Sequence, residues 1–440
     1  YDLLREKRGF KGGRNDIWRF RSLLPLSSSQ VVSLGEGFTP LILADGLREK
    51  WGQTGRLWLK NESLNPTGSF LDRGASIAIT RAKELQVSTV TCGTRGNLGA
   101  SISAYAARAG LNCELFVPKH LEMEKLYQMT LFGANVRLVD SYETALEKAR
   151  GSRSSFTLTV EDPYFLEGLK TTAFEIFTQL GGLPDTVVVG VGTGSHLSMM
   201  WKGLKELKKL GWCEALPTLV GVQAQAVNPL VKTFRSHTER EETPMQGATI
   251  AKDLAFAHPP LGQRALQAVR ESGGTMMSVT DDEILRGVQM LAENEGILSE
   301  PAGAVPVVAT EKLLRQGELS ASDEIVMVIT GAGLKDHSTI QTLVKRVDKE
   351  ENITSLMKRQ EIVSRIGKTK RLILGILSKG KDYGYHIHQE LLQKYNLSVS
   401  LPTIYQHLNE LTELGLITKI KSQGREKYYL LTEKGNDVVA

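Results

Sequence analysis

The sequence predicts an α/β protein built on mainly parallel sheets, followed by a small C-terminal unit of helices and a hairpin. Three observations predict it. Up to about residue 340, short β-rich runs alternate with amphipathic helical patterns. Those runs are apolar nearly throughout, as strands covered on both faces are. From Thr369 onward the rhythm changes to closely spaced helices and then a short hairpin, and the charge balance changes with it.

A chain of 440 residues exceeds what one hydrophobic core organises, so two or three domains are expected. Its hydrophobic fraction of 41% and charged fraction of 23% are those of an ordinary soluble protein. No apolar run approaches the ~20 residues of a membrane helix, so no membrane partner is expected. The opening YDLLREKRGFKGGRND has neither a signal pattern nor an initiator methionine, and a trimmed chain is the expectation. Cys92, Cys113 and Cys213 lie far apart with no CxxC pair. That spacing excludes a zinc ribbon or disulfide framework within the chain and points to reduced thiols in the cytoplasm, with no metal site.

In chain order, the strand candidates include Ser88–Thr94, Cys113–Val117, Asn135–Val139, Thr157–Val160, Thr186–Val191, Thr218–Gln223 and Glu324–Thr330. Helical patterns fall at Leu98–Ala109, Glu167–Leu180, Leu197–Leu210 and Asp281–Asn294. The last opens with a capping box, Thr280 with Glu283. The expected boundaries are 1–344 for the α/β domain, 345–366 for a charged linker and 367–440 for the C-terminal domain.

Within the α/β region, Gly192, Thr193, Gly194, Ser195 and His196 follow a strand and open a helix. Backbone N–H groups in such a turn suit a phosphate. It is not a dinucleotide fingerprint, because Leu197 stands where the third glycine belongs. Six further segments accompany this one, GVGTGSHLSMMWKG: VSLGEGFTP, NPTGSFLDRG, GTRGNLGAS, LEGLKTTAFEI, SEPAGA and ITGAGLKD. Together, over roughly Tyr1–Ser338, the set resembles the threonine synthase branch of the tryptophan-synthase-β (fold type II) pyridoxal-phosphate enzymes. The resemblance implies a two-lobed parallel-sheet fold and pyridoxal phosphate as cofactor. It implies that Gly192–His196 cradle the cofactor phosphate, that Asn97 meets its phenolic oxygen and that Thr330 faces its pyridine nitrogen. It further implies that the loop with Thr94, Arg95, Gly96 and Ser101 grips a substrate carboxylate.

One position departs from the family. Its Schiff-base lysine belongs between Phe70 and Asp72, where this chain has Leu71. A leucine can neither hold the cofactor covalently nor shuttle protons. Any cofactor bound here is therefore expected to be non-covalent, and Schiff-base catalysis absent. Lys60 is a poor substitute, since the relatives also carry a lysine in that strand. Arg95, where a small hydroxyl residue is usual, and Ser195–His196, in place of a Gly–Asn pair, depart as well.

From Ile353 to the end there are 14 Lys and Arg against 8 Asp and Glu, a net of +6, while the rest of the chain sums to −1. Such asymmetry points to a polyanion partner for the C-terminal part alone. Thr369–Leu377 and Tyr383–Tyr395 read as two helices. Pro402 opens a third, with Ile404, Leu408, Leu411 and Leu414 on one face and Gly415 at its end. Leu416–Ile420 and Lys427–Leu431 then form a hairpin. Three helices and a basic wing make a winged helix-turn-helix, and the segment is similar to PadR-type transcription regulators throughout. Double-stranded DNA is the expected partner. Thr403, Tyr405, Gln406, His407 and Asn409 are the candidates for base contacts, and Lys421, Arg425 and Lys427 for the wing's phosphate contacts.

Two functions follow from these parts. One is a homodimeric transcription regulator that responds to an amino-acid-type metabolite. The alternative is an active threonine synthase, converting phosphohomoserine to threonine and phosphate, with an autoregulatory DNA-binding domain. The second requires lysine at position 71.

Overall fold

The computed structural model describes residues 13–27, 30–152, 156–236, 247–348, 352–421 and 427–439. The chain divides into two compact units, Tyr1–Gln341 and Thr342–Ala440.

Among the described residues, the first unit holds two sheets. The larger is six-stranded, in the order β1 (Leu41–Leu43), β2 (Leu57–Asn61), β10 (Ile325–Ile329), β7 (Thr186–Gly190), β8 (Thr218–Ala224), β9 (Thr275–Val279). All its pairings are parallel except β1 with β2. The smaller is fully parallel, in the order β5 (Asn135–Val139), β4 (Asn112–Pro118), β3 (Thr89–Gly93), β6 (Phe156–Leu158). The central strands are buried along most of their length, β10 at every position, which is why their sequences are apolar without alternation.

Helices α1 (Leu71–Glu84) and α2 (Asn97–Ala109) pack on the small sheet, where Ile79, Ile102 and Tyr105 join Val90 and Leu115 in one core. Helix α3 (Met123–Leu131) follows β4. The helical pattern expected over Glu167–Leu180 is met by two helices that adjoin at Lys170, the end of Pro163–Leu169 and α4 (Thr171–Leu180). The Thr171 hydroxyl donates to the Gly168 carbonyl at 2.6 Å, competing there with the helix's own ladder. Helix α5 (Ser195–Lys209) packs its apolar side on the large sheet through Leu197, Met200 and Leu204. Helix α6 (Asp281–Glu295) begins with the capping box, Thr280 and Glu283 bonding reciprocally, and α7 (Pro301–Gln316) follows it.

In the second unit, α8 (Asn352–Arg365) occupies most of the stretch expected as a charged linker, and Ile366 behind it joins the core of this unit. Helices α9 (Lys368–Leu377), α10 (Gly384–Tyr395) and α11 (Leu401–Glu413) enclose that core. An antiparallel sheet covers it, in the order β11 (Asp382–Tyr383), β13 (Lys427–Leu431), β12 (Ile417–Lys421); α12 (Glu433–Val439) ends the unit. Ser400 caps α11, accepting from the Thr403 N–H. Ile404, Leu408 and Leu411 are fully buried, each worth about 1.5–3 kcal/mol relative to exposure. Leu414 corrects the expected face: at the helix C-cap it has turned off the stripe and is 38% exposed. Gly415, at φ 70°, supplies the left-handed residue that ends the helix. No helix among the described residues is long and apolar enough to cross a membrane.

Candidate functional site

Strands β3, β7 and β10 send their C-terminal ends toward one cleft, the usual ligand position in parallel α/β sheets. The cleft, about 820 Å³ counting the open solvent at its mouth, is lined by Leu71, Thr94–Asn97, Gly190–Leu197 and Thr330, with Asp253 and Glu300. Nearly all the residues selected from the α/β sequence therefore meet here, although they are spread over 260 positions of the chain. Ser101 is the correction. One turn into α2, it is fully buried, and its hydroxyl lies 3.1 Å from that of Thr67 and away from the cleft wall.

The turn after β7 is shaped for close backbone approach. A Cβ on Gly192 would come within 2.4 Å of the Asp253 carbonyl, and one on Gly194 within 2.6 Å of the Leu261 carbonyl. Only glycine fits at either place. The turn opens α5, whose first N–H groups have no intrahelical partner. Ser195 and Thr193 hydroxyls sit 2.8 Å apart beside it. His196 stacks on Phe70 at 4.2 Å, its Nε2 is 3.1 Å from the Thr172 hydroxyl, and its buried Nδ1 has no hydrogen-bond partner among the described residues. Burial lowers its pKa to about 4, so the ring is neutral at pH 7. Glycine cradle, helix N-terminus and hydroxyl pair together make a donor set that fits a phosphate dianion.

Asn97 sits at the centre of a buried polar cluster. Its Nδ2 donates to Asp253 and Glu300 at 3.0 and 2.9 Å, and its Oδ1 accepts from Lys335 Nζ at 2.7 Å. Lys125 Nζ lies 3.2 Å from Asp253 and 3.3 Å from Glu300. Burial works against the Lys125 charge, yet Asp253, Glu300 and Glu122 hold its pKa above the ordinary value. Burial lowers that of Lys335 and raises that of Glu300.

These partners were not found by reading the sequence. Glu300 and Lys335 stand inside quoted motifs, SEPAGA and ITGAGLKD, so a signal existed for them. Tyr142, Asp253 and Phe256 belong to no motif, and only the fold brings them to the cleft, where Lys125, also outside the motifs, pairs with Asp253.

Leu71, the first residue of α1, presents hydrocarbon to the cleft. Lys60 is no replacement. Its Nζ is held by the Thr39 carbonyl, Glu175 and Gln179 at 2.7, 2.7 and 2.9 Å, and it does not line the cleft. Glu175 also pairs with Arg73, which pairs in turn with Glu62, all fully buried. Next to Leu71, burial raises the Asp72 pKa to about 6, while hydrogen bonds from Thr67 oppose the rise.

In the second unit, Gln406 and Asn409 lie exposed on α11, tethered to Glu410 at 3.0 Å and to Lys419 at 2.8 Å. Thr403 is half-buried and bonded to Ser400, and His407 is half-buried with Nδ1 3.5 Å from Glu410. The Tyr405 ring covers Gly384, where a Cβ would meet it at 2.5 Å, so this side chain packs α11 on α10. Lys427 is exposed opposite Lys421 in the hairpin, and Arg425 lies outside the described residues.

Residues 32–331 match the pyridoxal-phosphate dependent enzyme family, and residues 373–440 match the transcriptional regulator PadR-like family. The threonine synthase of Methanocaldococcus jannaschii is 38% identical over 327 residues, covering 73% of this chain and 80% of that protein. That of Methanosarcina acetivorans is 37% identical over 330 residues, covering 74% and 81%. Among solved structures, a fungal L-serine ammonia-lyase from Rhizomucor miehei superposes with a TM-score of 0.60 at 22% identity, over 69% of this chain and 95% of its own. The processed form of threonine deaminase isoform 2 from Solanum lycopersicum gives 0.61 at 18% identity, over 70% and 83%; these two likenesses show the fold. The chain thus belongs to the pyridoxal-phosphate dependent enzyme family, as a threonine synthase-like unit carrying a PadR-like DNA-binding unit at its C-terminal end.

Proposed function

We propose that this protein is a transcription regulator that binds pyridoxal phosphate non-covalently together with an amino-acid-type metabolite, and whose DNA affinity answers to that ligand. The observation that carries the reading is Leu71 in a cleft whose other features suit the cofactor. When bound, the cofactor supplies an electron-withdrawing ring and an aldehyde. The Gly192–His196 turn holds its phosphate through backbone N–H groups and the N-terminus of α5. Asn97, bonded to Lys335, would turn to the phenolic oxygen, and Thr330 on the cleft wall would offer the ring nitrogen a neutral hydroxyl. At position 71 there is no amine to capture the aldehyde or to move a proton, so the site binds without turning over.

The PadR-like unit, with the net charge of +6, supports duplex DNA as the partner. As a two-fold dimer it takes near-palindromic sites with half-sites about one helical turn apart. A regulatory coupling between ligand and DNA is typically about 1–3 kcal/mol, a 5- to 150-fold change in DNA affinity.

The test compares the protein with its Leu71→Lys variant. With saturating pyridoxal phosphate, and inorganic phosphate as control, the original should melt at a higher temperature as cofactor is added. Borohydride followed by peptide mapping should find no pyridoxyl-lysine in it, and a pyridoxyl group at position 71 of the variant. Threonine formation from phosphohomoserine by the unaltered chain refutes the proposal and favours the threonine synthase reading.

A further inference from the structure

Gln406 and Asn409 stand three positions apart on α11, on the side away from the buried stripe of Ile404, Leu408 and Leu411. Both end in a primary amide, whose oxygen accepts and whose nitrogen donates. Which of the two a ligand meets depends on what holds the other. Gln406 Nε2 donates to Glu410 Oε1 at 3.0 Å. Asn409 Oδ1 accepts from Lys419 Nζ, on β12, at 2.8 Å.

Neither tether works the other way round. Hydrogen bonds from Lys370 and Gln406 hold the Glu410 carboxyl below the usual carboxylate range, so at neutral pH it has no proton to give and only accepts. Lys370, on α9, pairs with its second oxygen and anchors it to the body of the unit. A lysine ammonium only donates. Gln406 is therefore obliged to turn its nitrogen to Glu410 and its oxygen outward, and Asn409 to give its oxygen to Lys419 and present its nitrogen. Among the described residues Gln406 Oε1 and Asn409 Nδ2 make no hydrogen bond. One helix face thus offers an acceptor and, a turn further on, a donor.

Base edges in the major groove divide along the same line. The amino groups of adenine and cytosine donate, and the carbonyls of guanine and thymine accept. An outward acceptor bonds to the first pair and sets its lone pairs against those of the second, and an outward donor does the reverse.

We propose that Glu410 and Lys419 are positioning residues that set opposite polarities on the reading face: Gln406 selects a base with an exocyclic amino group, adenine or cytosine, on the strand it contacts, and Asn409 selects a base with a carbonyl, guanine or thymine. The inference rests on the reading of α11 as the helix that meets duplex DNA.

For the test, the full chain selects duplexes from a randomised double-stranded DNA library, and Gln406→Ala and Asn409→Ala locate the base pair that each residue reads. Base analogues lacking one exocyclic group at a time then map the contact. At the Gln406 position, removing an amino group should weaken binding about 2- to 10-fold and removing a carbonyl should not; the reverse should hold at the Asn409 position. Glu410→Gln and Lys419→Gln supply a side chain that both donates and accepts, so each should abolish the distinction at its own position alone. Lys419→Arg, a donor only, should retain it, and Lys419→Glu should invert it from carbonyl to amino. The melting temperature of the winged-helix unit checks that each variant is folded. Carbonyl dependence at the Gln406 position, or an undiminished distinction in folded Glu410→Gln and Lys419→Gln proteins, overturns the assignment. Failure of the original protein to select any duplex overturns the DNA reading beneath it.

Discussion

In the α/β unit, Lys60, Arg73, Glu62 and Glu175 have no exposed side-chain surface, and Asp72, Lys125, Glu300 and Lys335 are nearly as deep. In the winged-helix unit, isoleucine and leucine with Tyr429 make the core, and Thr354 is the only buried polar side chain among the described residues. One unit places its charges inside, where they fix positions around a cleft. The other keeps them on its surface, where they can meet a polyanion. The difference teaches which variable each unit answers to. Buried charges couple folding to pH, whereas exposed ones couple binding to salt.

The largest effect expected is from breaking the buried network. Arg73→Ala leaves Glu62 and Glu175 without their shared partner and should destabilise the α/β unit by about 3–5 kcal/mol. Calorimetry should show the α/β transition moving down while the winged-helix transition stays in place; joint movement of the two would contradict the contrast. Leu408→Ala is the reciprocal change. It empties a fully buried position of α11 and should cost the winged unit about 2–5 kcal/mol, with DNA binding lost before cofactor binding is touched.

The pH profile sharpens the same comparison. Burial alone would raise the Glu62 pKa, but Arg73 holds it at about 2, and Glu175 is lowered in the same way. A lowered carboxyl contributes stability that is complete above its unfolded pKa of ~4.3 and is lost as pH falls through the folded value. His196, lowered to about 4, loses stability in the same direction from about pH 6.5 downward. Asp72, raised to about 6, runs the other way, because the folded state keeps a proton that the unfolded chain releases. The two offset each other between roughly pH 6.5 and 4. The α/β melting temperature should therefore change little down to about pH 4.5 and then drop steeply, ahead of the winged-helix transition. A gradual decline beginning at neutral pH would show that Asp72 does not provide the offset.

The smallest effects belong to the proposed DNA surface. Gln406→Ala or Asn409→Ala should relax base preference at one operator position by about 1–3 kcal/mol. Lys427→Ala should instead weaken binding to all sequences alike and reduce the salt slope by about 1. Gel-shift titrations at several salt concentrations separate the two patterns. A Lys427 variant with altered base preference would place the reading face on the wing.

What the sequence by itself determined were the properties that local pattern and composition carry. Unbroken apolar runs announced buried parallel strands, the Thr280–Glu283 pair announced a helix start, and the charge excess after Ile353 marked the basic unit. The glycine turn at 192–194 was legible because only glycine permits such close backbone approach. Leu71 was legible as a departure from a motif. Only the tertiary structure decided which charges face one another. Lys335 reaches Asn97 across 238 residues and Arg95 reaches Ala255 across 160, and no local periodicity records a contact of that separation. Leu414 and Ser101 show the converse: each fits its local pattern, yet the end of a helix turns one out to solvent and the packing of α2 on the Thr67 turn draws the other away from the cleft. Side-chain type is written in the chain, but its electrostatic role depends on distance and burial, and those exist only once the sheets have closed around it.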